Sequence, residues 1–173
     1  MDLAERGWGH GEGPFGGEAT GANPTDRGKR GAKRSVLTEG HGLPIAVVVA
    51  GANCHDKKLL AATLDAIVME RPEATEEKPQ HLCADKGYDY PDSRQEVADR
   101  GYQVHIRSRG EERQARREIP GYRARRWVVE VCHSWLNRFR KLLVRFEKQA
   151  ATHLGLLQFA CAYIVFKRAG LFG

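Results

Sequence analysis

Short β-branched apolar blocks alternate along the chain with stretches whose apolar residues recur at three- and four-residue steps. In "KRSVLTEGHGLPIAVVVAGAN" the stretches Ser35 to Thr38 and Ile45 to Ala50 flank Glu39-Gly40-His41-Gly42, a turn sequence, and this predicts a hairpin. After "GANCHD", Leu59, Leu60, Thr63, Leu64, Ile67 and Val68 recur at helical spacing, with Asp56 near the start where an N-cap belongs. "HLCAD" reads as a short buried strand. Tyr88 to Arg100 follows as loop and helix closed by Gly101, and "YQVHIRS" as a further strand. "RGEERQARREIPGYRAR" has no apolar period and reads as a flexible basic loop.

From Arg126 onward, "RWVVEVCHSWLNRFRKLLVRFEK" places Val128, Val131, Trp135, Phe139, Leu142 and Phe146 in one stripe of a helix. Glu130 lies about 200° around from Val128 and faces away from that stripe. A last helix, "THLGLLQFACAYIVFKR", is apolar on nearly every side and is expected to be buried. Residues 1–31, rich in glycine and poor in apolar residues, read as an irregular leader ahead of a folded part spanning 32–173. The order strand, strand, helix, strand, helix, strand, helix, helix is that of an α/β protein with a three-layer core.

A chain of 173 residues with 41% hydrophobic and 29% charged residues is the size and composition of one globular domain. No run approaches the roughly 18 apolar residues of a spanning helix, and "MDLAERGWGHGEGPFGG" carries no export pattern, so a cytoplasmic protein with no membrane partner is expected. Cys54, Cys83, Cys132 and Cys161 lie far apart without a C-x-x-C pair and read as free thiols. The Gly-rich segment lacks G-x-x-x-x-G-K-[ST], which argues against a nucleotide-binding loop.

The formal charge of +6 is unevenly spread. Residues 1–100 hold 13 Lys and Arg against 17 Asp and Glu, whereas 101–148 hold 13 against 5. A block rich in Arg and interleaved with Tyr, Trp and Phe suits a phosphate-backbone partner; a solvated helix surface carries the same charge.

Two acids stand out. Asp85 closes the "HLCAD" strand and Glu130 sits on an otherwise basic helix face. Carboxylates brought together from separate elements are what Mg²⁺ or Mn²⁺ need for phosphoryl transfer. Each also has a plainer reading: Asp favours turns, and Glu130, four residues after Arg126, can be half of an i,i+4 pair.

Three separated stretches, "FGGEATGANPTDRGKRGAKRSVLTEGHGLPIAVVVAGANCHD", "LCADKGYD" and "RRWVVEVCHSWLNRFRKLLVRFEK", together resemble the bacterial insertion-sequence transposases of the DDE type over residues 15 to about 168. The resemblance implies a ribonuclease H-like fold, a mixed sheet flanked by helices. It also implies cleavage and joining of DNA strands by two Asp and one Glu that hold divalent metal, Mg²⁺ or Mn²⁺. By that resemblance Asp85 is the second acid and Glu130 the third, both metal ligands, while Lys86, Arg123, Arg125, Arg126, Arg138 and Lys141 contact DNA at the transposon ends. It admits a homodimer and implies a bacterial, nucleoid-associated location.

The chain departs from the family pattern at the first acid. The matching position falls near Gly7 in "RGWGHGEGPF", where no Asp stands, and Asp2 has no β-forming neighbours. Arg123 replaces a Tyr three residues before Arg126, and Asn137 replaces a Lys seven residues after Glu130, with Arg138 next to it as a substitute phosphate contact. These departures lead to the expectation of a catalytic domain truncated at its amino terminus, without its first strand and inactive alone. The alternatives are a non-catalytic DNA-binding remnant and a general nucleic-acid-binding α/β protein.

Overall fold

A computed structural model describes residues 2–3, 10–12, 15–106, 114, 117–118 and 127–170. Its frame is the predicted hairpin. Strand β4 (Arg30–Thr38) and strand β5 (Pro44–Gly51) pair antiparallel from Ala32 opposite Gly51 to Thr38 opposite Pro44, with a bulge at Leu37/Thr38. Gly42 closes the turn at φ +92°, a conformation that favours glycine.

The other edge of β4 is taken by two short strands. β1 (Asp2–Leu3) pairs antiparallel with Thr38 and Leu37, and β2 (His10–Glu12) with Lys33 to Gly31; β3 (Gly21–Ala22) also pairs with the start of β4. On its far side β1 runs parallel to β6 (Gln80–Ala84), Asp2 opposite Cys83 and Leu3 opposite Ala84, and β6 runs parallel to β7 (Tyr102–Ile106). The sheet is therefore mixed: an antiparallel hairpin and a parallel pair joined through β1.

The expectation of a missing first strand is corrected at this point. Asp2–Leu3 fills the central place between β4 and β6, although the two residues carry no strand pattern. The facing edges of β4 and β6 present unpaired backbone groups, and any short segment with free N–H and C=O groups can satisfy them. The stretch 1–31 thus contributes three short strands to the same sheet as the rest of the chain. The position near Gly7 lies outside the described residues.

Period-two alternation sends neighbouring side chains to opposite faces, and each face carries its own core. On one face Leu37, Ala46, Leu82, Ala84, Tyr102 and Ile106 pack with Leu60, Leu64, Tyr88 and Val97. These come from helix α1 (Leu60–Asp65, preceded by a 3₁₀ turn Asp56–Leu59), helix α2 (Pro91–Asp99) and the 3₁₀ turn Lys86–Tyr88. On the other face Val36 and Val47 pack with Cys132, Leu136, Leu142, Leu157, Ala160, Cys161 and Ile164, from helices α3 (Trp127–Leu136), α4 (Arg140–Leu143) and α5 (Ala150–Arg168). Cys132 and Cys161 are buried free thiols; burial raises both, Cys161 to about 12, so both stay protonated at neutral pH.

Several expected helix limits move. α1 stops at Asp65 and leaves Val68 83% exposed, and His55, not Asp56, caps the turn that precedes it, accepting from the Lys57 N–H. The helix expected from Arg126 breaks after Leu136. The Asn137 side chain is drawn to the buried guanidinium of Arg34, while Arg138 and Phe139 N–H groups close tight i−3 turns on Trp135 and Leu136. The buried face of α3 is Val128, Val129, Cys132, His133 and Leu136; Phe146, placed in the stripe, is 53% exposed.

α5 overturns two expectations. At 19 residues with mean hydropathy 1.2, it is long and apolar enough to span a bilayer by length and composition, contrary to the reading that no run approaches this. It is also not buried all round: it closes the core over β5 with His153, Leu157, Ala160, Cys161 and Ile164, while Phe159 stays 72% exposed.

Arg145 ties these pieces together. Its fully buried guanidinium donates to the carbonyls of Glu147 (2.9 Å), Ala19 (3.1 Å) and Lys148 (3.5 Å), joining the segment before α5 to the segment before β3. Replacement by Met takes this donor from the Glu147 and Ala19 carbonyls, while the Lys148 carbonyl keeps the Glu18 N–H (2.8 Å), and Arg145→Met should lower stability by about 2–4 kcal/mol in denaturant titration.

His153, also buried, lies beside Glu147 at 3.7 Å; burial and the nearby Arg145 charge hold its pKa below 6.5, with Glu147 opposing. The unfolded chain therefore binds the extra proton first, so this contribution is present above about pH 6.5 and is lost as pH falls below it. Melting temperature should drop between pH 7 and pH 5, and His153→Gln should flatten that drop.

Candidate active site

Asp85 leaves the carboxyl end of β6, next to the centre of the sheet. Its backbone carbonyl accepts from Tyr88 N–H (2.9 Å) and its side chain accepts from Lys86 N–H (2.7 Å), the N-cap geometry of the turn Lys86–Tyr88. Tyr88, 1% exposed, anchors the turn in the core, and Asp89 pairs with Arg94 at 2.7 Å. The carboxyl group is thus held at the surface by its own cap, with Lys86 exposed beside it.

A second loop backs this turn. Lys33 on β4 donates to the Cys54 carbonyl (2.9 Å) and pairs with Asp56, and the other Asp56 oxygen lies 3.4 Å from where a side chain at Gly87 would start. Lys57 sits 4.7 Å over the Tyr90 ring and pairs with Asp92, holding that carboxyl below its usual range through their hydrogen bond. Lys33 carries no signal of a site in the sequence, and Asp56 reads there only as a helix start. The signal for it is the acid that closes "GANCHD".

Glu130 is exposed in the first turn of α3, pointing away from the buried face formed by Val128, Val129, Cys132 and Leu136. α3 lies across β4 and touches β1, and an added side chain at Gly42 would meet the Val128 carbonyl at 3.1 Å, so the hairpin turn seats the start of this helix. The two acids therefore sit on elements that both abut β1: β6 by pairing and α3 by packing. In register Asp2 stands opposite Cys83, two residues before Asp85 along the same edge. Among the described residues, no three His, Cys, Asp or Glu side chains gather as a metal site.

The cations predicted to contact DNA separate. Lys86 adjoins Asp85, and Lys141 is exposed on α4. Arg138 is exposed just beyond α3 and borders a groove against α5. Arg123, Arg125 and Arg126 lie outside the described residues. Asn137, at the position where the family pattern has Lys, is half-buried on Arg34 and serves the core.

The family model described as "Transposase DDE domain" matches residues 9–165. The chain is 37% identical over 147 residues to a protein of Burkholderia cepacia whose name assigns it as a transposase for insertion sequence element IS402, covering 84% of this chain and 67% of that protein. No solved structure gives a significant match.

Neither acid is needed for folding by this geometry. Asn caps a turn as well as Asp, and Glu130 is exposed. Asp85→Asn and Glu130→Gln should each change unfolding free energy by less than about 1 kcal/mol, measured by thermal or denaturant melts, whatever they do to activity.

Proposed function

The chain belongs to the DDE transposase family, and from that premise we propose that it acts in DNA transposition, cleaving and joining DNA strands at transposon ends with Asp85 and Glu130 as two of its acids. The observation that carries this reading is the convergence of β6 and α3 on β1, which brings the elements bearing both acids to the middle of the sheet. The strand order, an antiparallel hairpin followed through β1 by two parallel strands with helices on both faces, supports a ribonuclease H-like arrangement.

The family usually works with a divalent cation such as Mg²⁺ or Mn²⁺, which activates the attacking oxygen and stabilises the leaving one. Asp85 and Glu130 are hard oxygen donors of the right type, but the described residues bring no third donor to them, so they offer an incomplete set. What the chain's own groups supply is clearer. The capped turn at Asp85 fixes a carboxylate at the end of a central strand, and the exposed Lys86 next to it is a cation suited to a phosphate. Arg138 and Lys141, both exposed, add positive charge to the surface, and the sequence carries further cations at Arg123, Arg125 and Arg126 that suit a phosphate backbone.

The sequence carries no Asp near Gly7, where the family pattern has its first acid, and this favours a chain that engages DNA but does not cut it by itself, that is, an inactive copy or a binding remnant of a transposase. Likeness to a bacterial insertion-sequence transposase, with DNA as substrate, supports a site of action in the bacterial cytoplasm beside the nucleoid.

Incubation of the purified chain with DNA carrying the element's ends and Mg²⁺ or Mn²⁺ tests this. Binding should weaken steeply with salt, and no nicked or joined product should form. Nicking that disappears in Asp85→Asn and Glu130→Gln would show a complete active site and overturn the inactive reading. Absence of any DNA binding would overturn the transposition reading itself.

A further inference from the structure

Away from the two acids, an open groove of about 540 Å³ runs between the end of α3 and the last turns of α5. Trp135, Arg138, Phe139, Tyr163, Lys167 and Arg168 line it, so every charged group in its wall is a cation. Three of the other lining residues are aromatic. Phe139 and Tyr163 meet edge to face with ring centroids 5.8 Å apart, and the Arg168 guanidinium lies 4.3 Å over the Trp135 ring. Tyr163 remains 46% exposed, and Phe159, one turn earlier on α5, 72%.

Cations at a helix C-terminus complement its dipole, which accounts for Lys167 and Arg168. It does not account for Arg138, which comes from a different element, nor for open aromatic rings between the three charges. A second copy docking by the same groove would bring three cations against three, so charge disfavours self-association through it. An anionic ligand with flat apolar faces satisfies both halves of the wall. Duplex DNA hides its base faces in the stack, whereas an unpaired strand exposes them together with its phosphates. The volume falls in the range of about 300–1,000 Å³ common for small-ligand sites, enough for a nucleotide-sized group.

We propose that this groove binds an unpaired stretch of DNA, with a base stacked against Tyr163 and flanking phosphates on Arg138 and Lys167. The inference rests on the transposition reading and adds a single-strand site separate from Asp85 and Glu130.

Fluorescence anisotropy of the full chain with a labelled oligothymidylate and with a duplex of equal length, both without divalent ion, tests it. Tyr163→Ala should weaken single-strand binding about tenfold and leave duplex binding within about twofold, and Tyr163→Phe should restore it. Lys167→Gln, at an exposed position, should reduce the salt slope for the single strand by about 0.7 for the phosphate no longer neutralised. This variant keeps the test open should Tyr163→Ala melt early. Unchanged single-strand affinity and salt slope in these variants would overturn the groove assignment, as would equal weakening on both DNAs. A fall from dimer to monomer by light scattering in Tyr163→Ala, with DNA binding intact, would show a self-interface and also overturn it. If wild-type chain binds duplex ends yet the groove variants behave like wild type, only the groove proposal fails; if it binds no DNA, the transposition reading fails with it.

Discussion

Backbone pairing across β1 is the constraint on which the fold depends. β4 and β6 lie in the sheet with a gap one strand wide between them, and Asp2–Leu3 closes it by antiparallel pairing on one side and parallel pairing on the other. Two residues provide few hydrogen bonds. The alternative, two unpaired edges in the middle of a sheet, leaves buried donors and acceptors without partners, each costing about 1–3 kcal/mol. The cores on the two faces then hold the arrangement: Leu37 and Leu82 from either side of β1 share one core, while Val36 and Val47 face α3 and α5 on the other.

The candidate site follows from that closure. Asp85 occupies its place because β6 stops beside β1 and the chain turns at once into a capped 3₁₀ turn backed by Asp56 and Lys33. Glu130 occupies its place because α3 buries the opposite face of its helix on β4, with its first turn seated against Gly42. Neither acid is placed by contact with the other. Each is placed by the packing of its own element, and the sheet centre is where the two elements meet.

The second surface has a different origin. α5 is apolar enough to be buried on all sides, yet the sheet covers only one of its faces, and α3 ends before it can cover the other. The uncovered side keeps Phe159 and Tyr163 in solvent and leaves Arg138 from the break after α3 facing the cations at the end of α5. An exposed aromatic patch on a helix is costly in water, and its cationic rim makes an anionic strand a better match than another apolar surface.

The hairpin, the strands ending at Ala84 and Ile106 and the helix closed by Gly101 were all legible in the chain, because period-two alternation and turn residues act over a few neighbours. So were the place of Asp85 at a strand end, the place of Glu130 on an exposed helix face and the free cysteines, since residue type and element ends are local properties. Asp2–Leu3 as a strand was not legible: it has no apolar pattern, and its conformation is set by two edges brought together from residues 37–38 and 83–84. The break after Leu136 depends on Arg34, about a hundred residues earlier, drawing in Asn137, and the half-exposed state of α5 depends on how much of the sheet is left to cover it. Which chemistry-bearing residues stand along the chain was thus decided locally by the sequence. Which of them meet was decided only by tertiary packing, because pairing and burial act between segments that no short window contains.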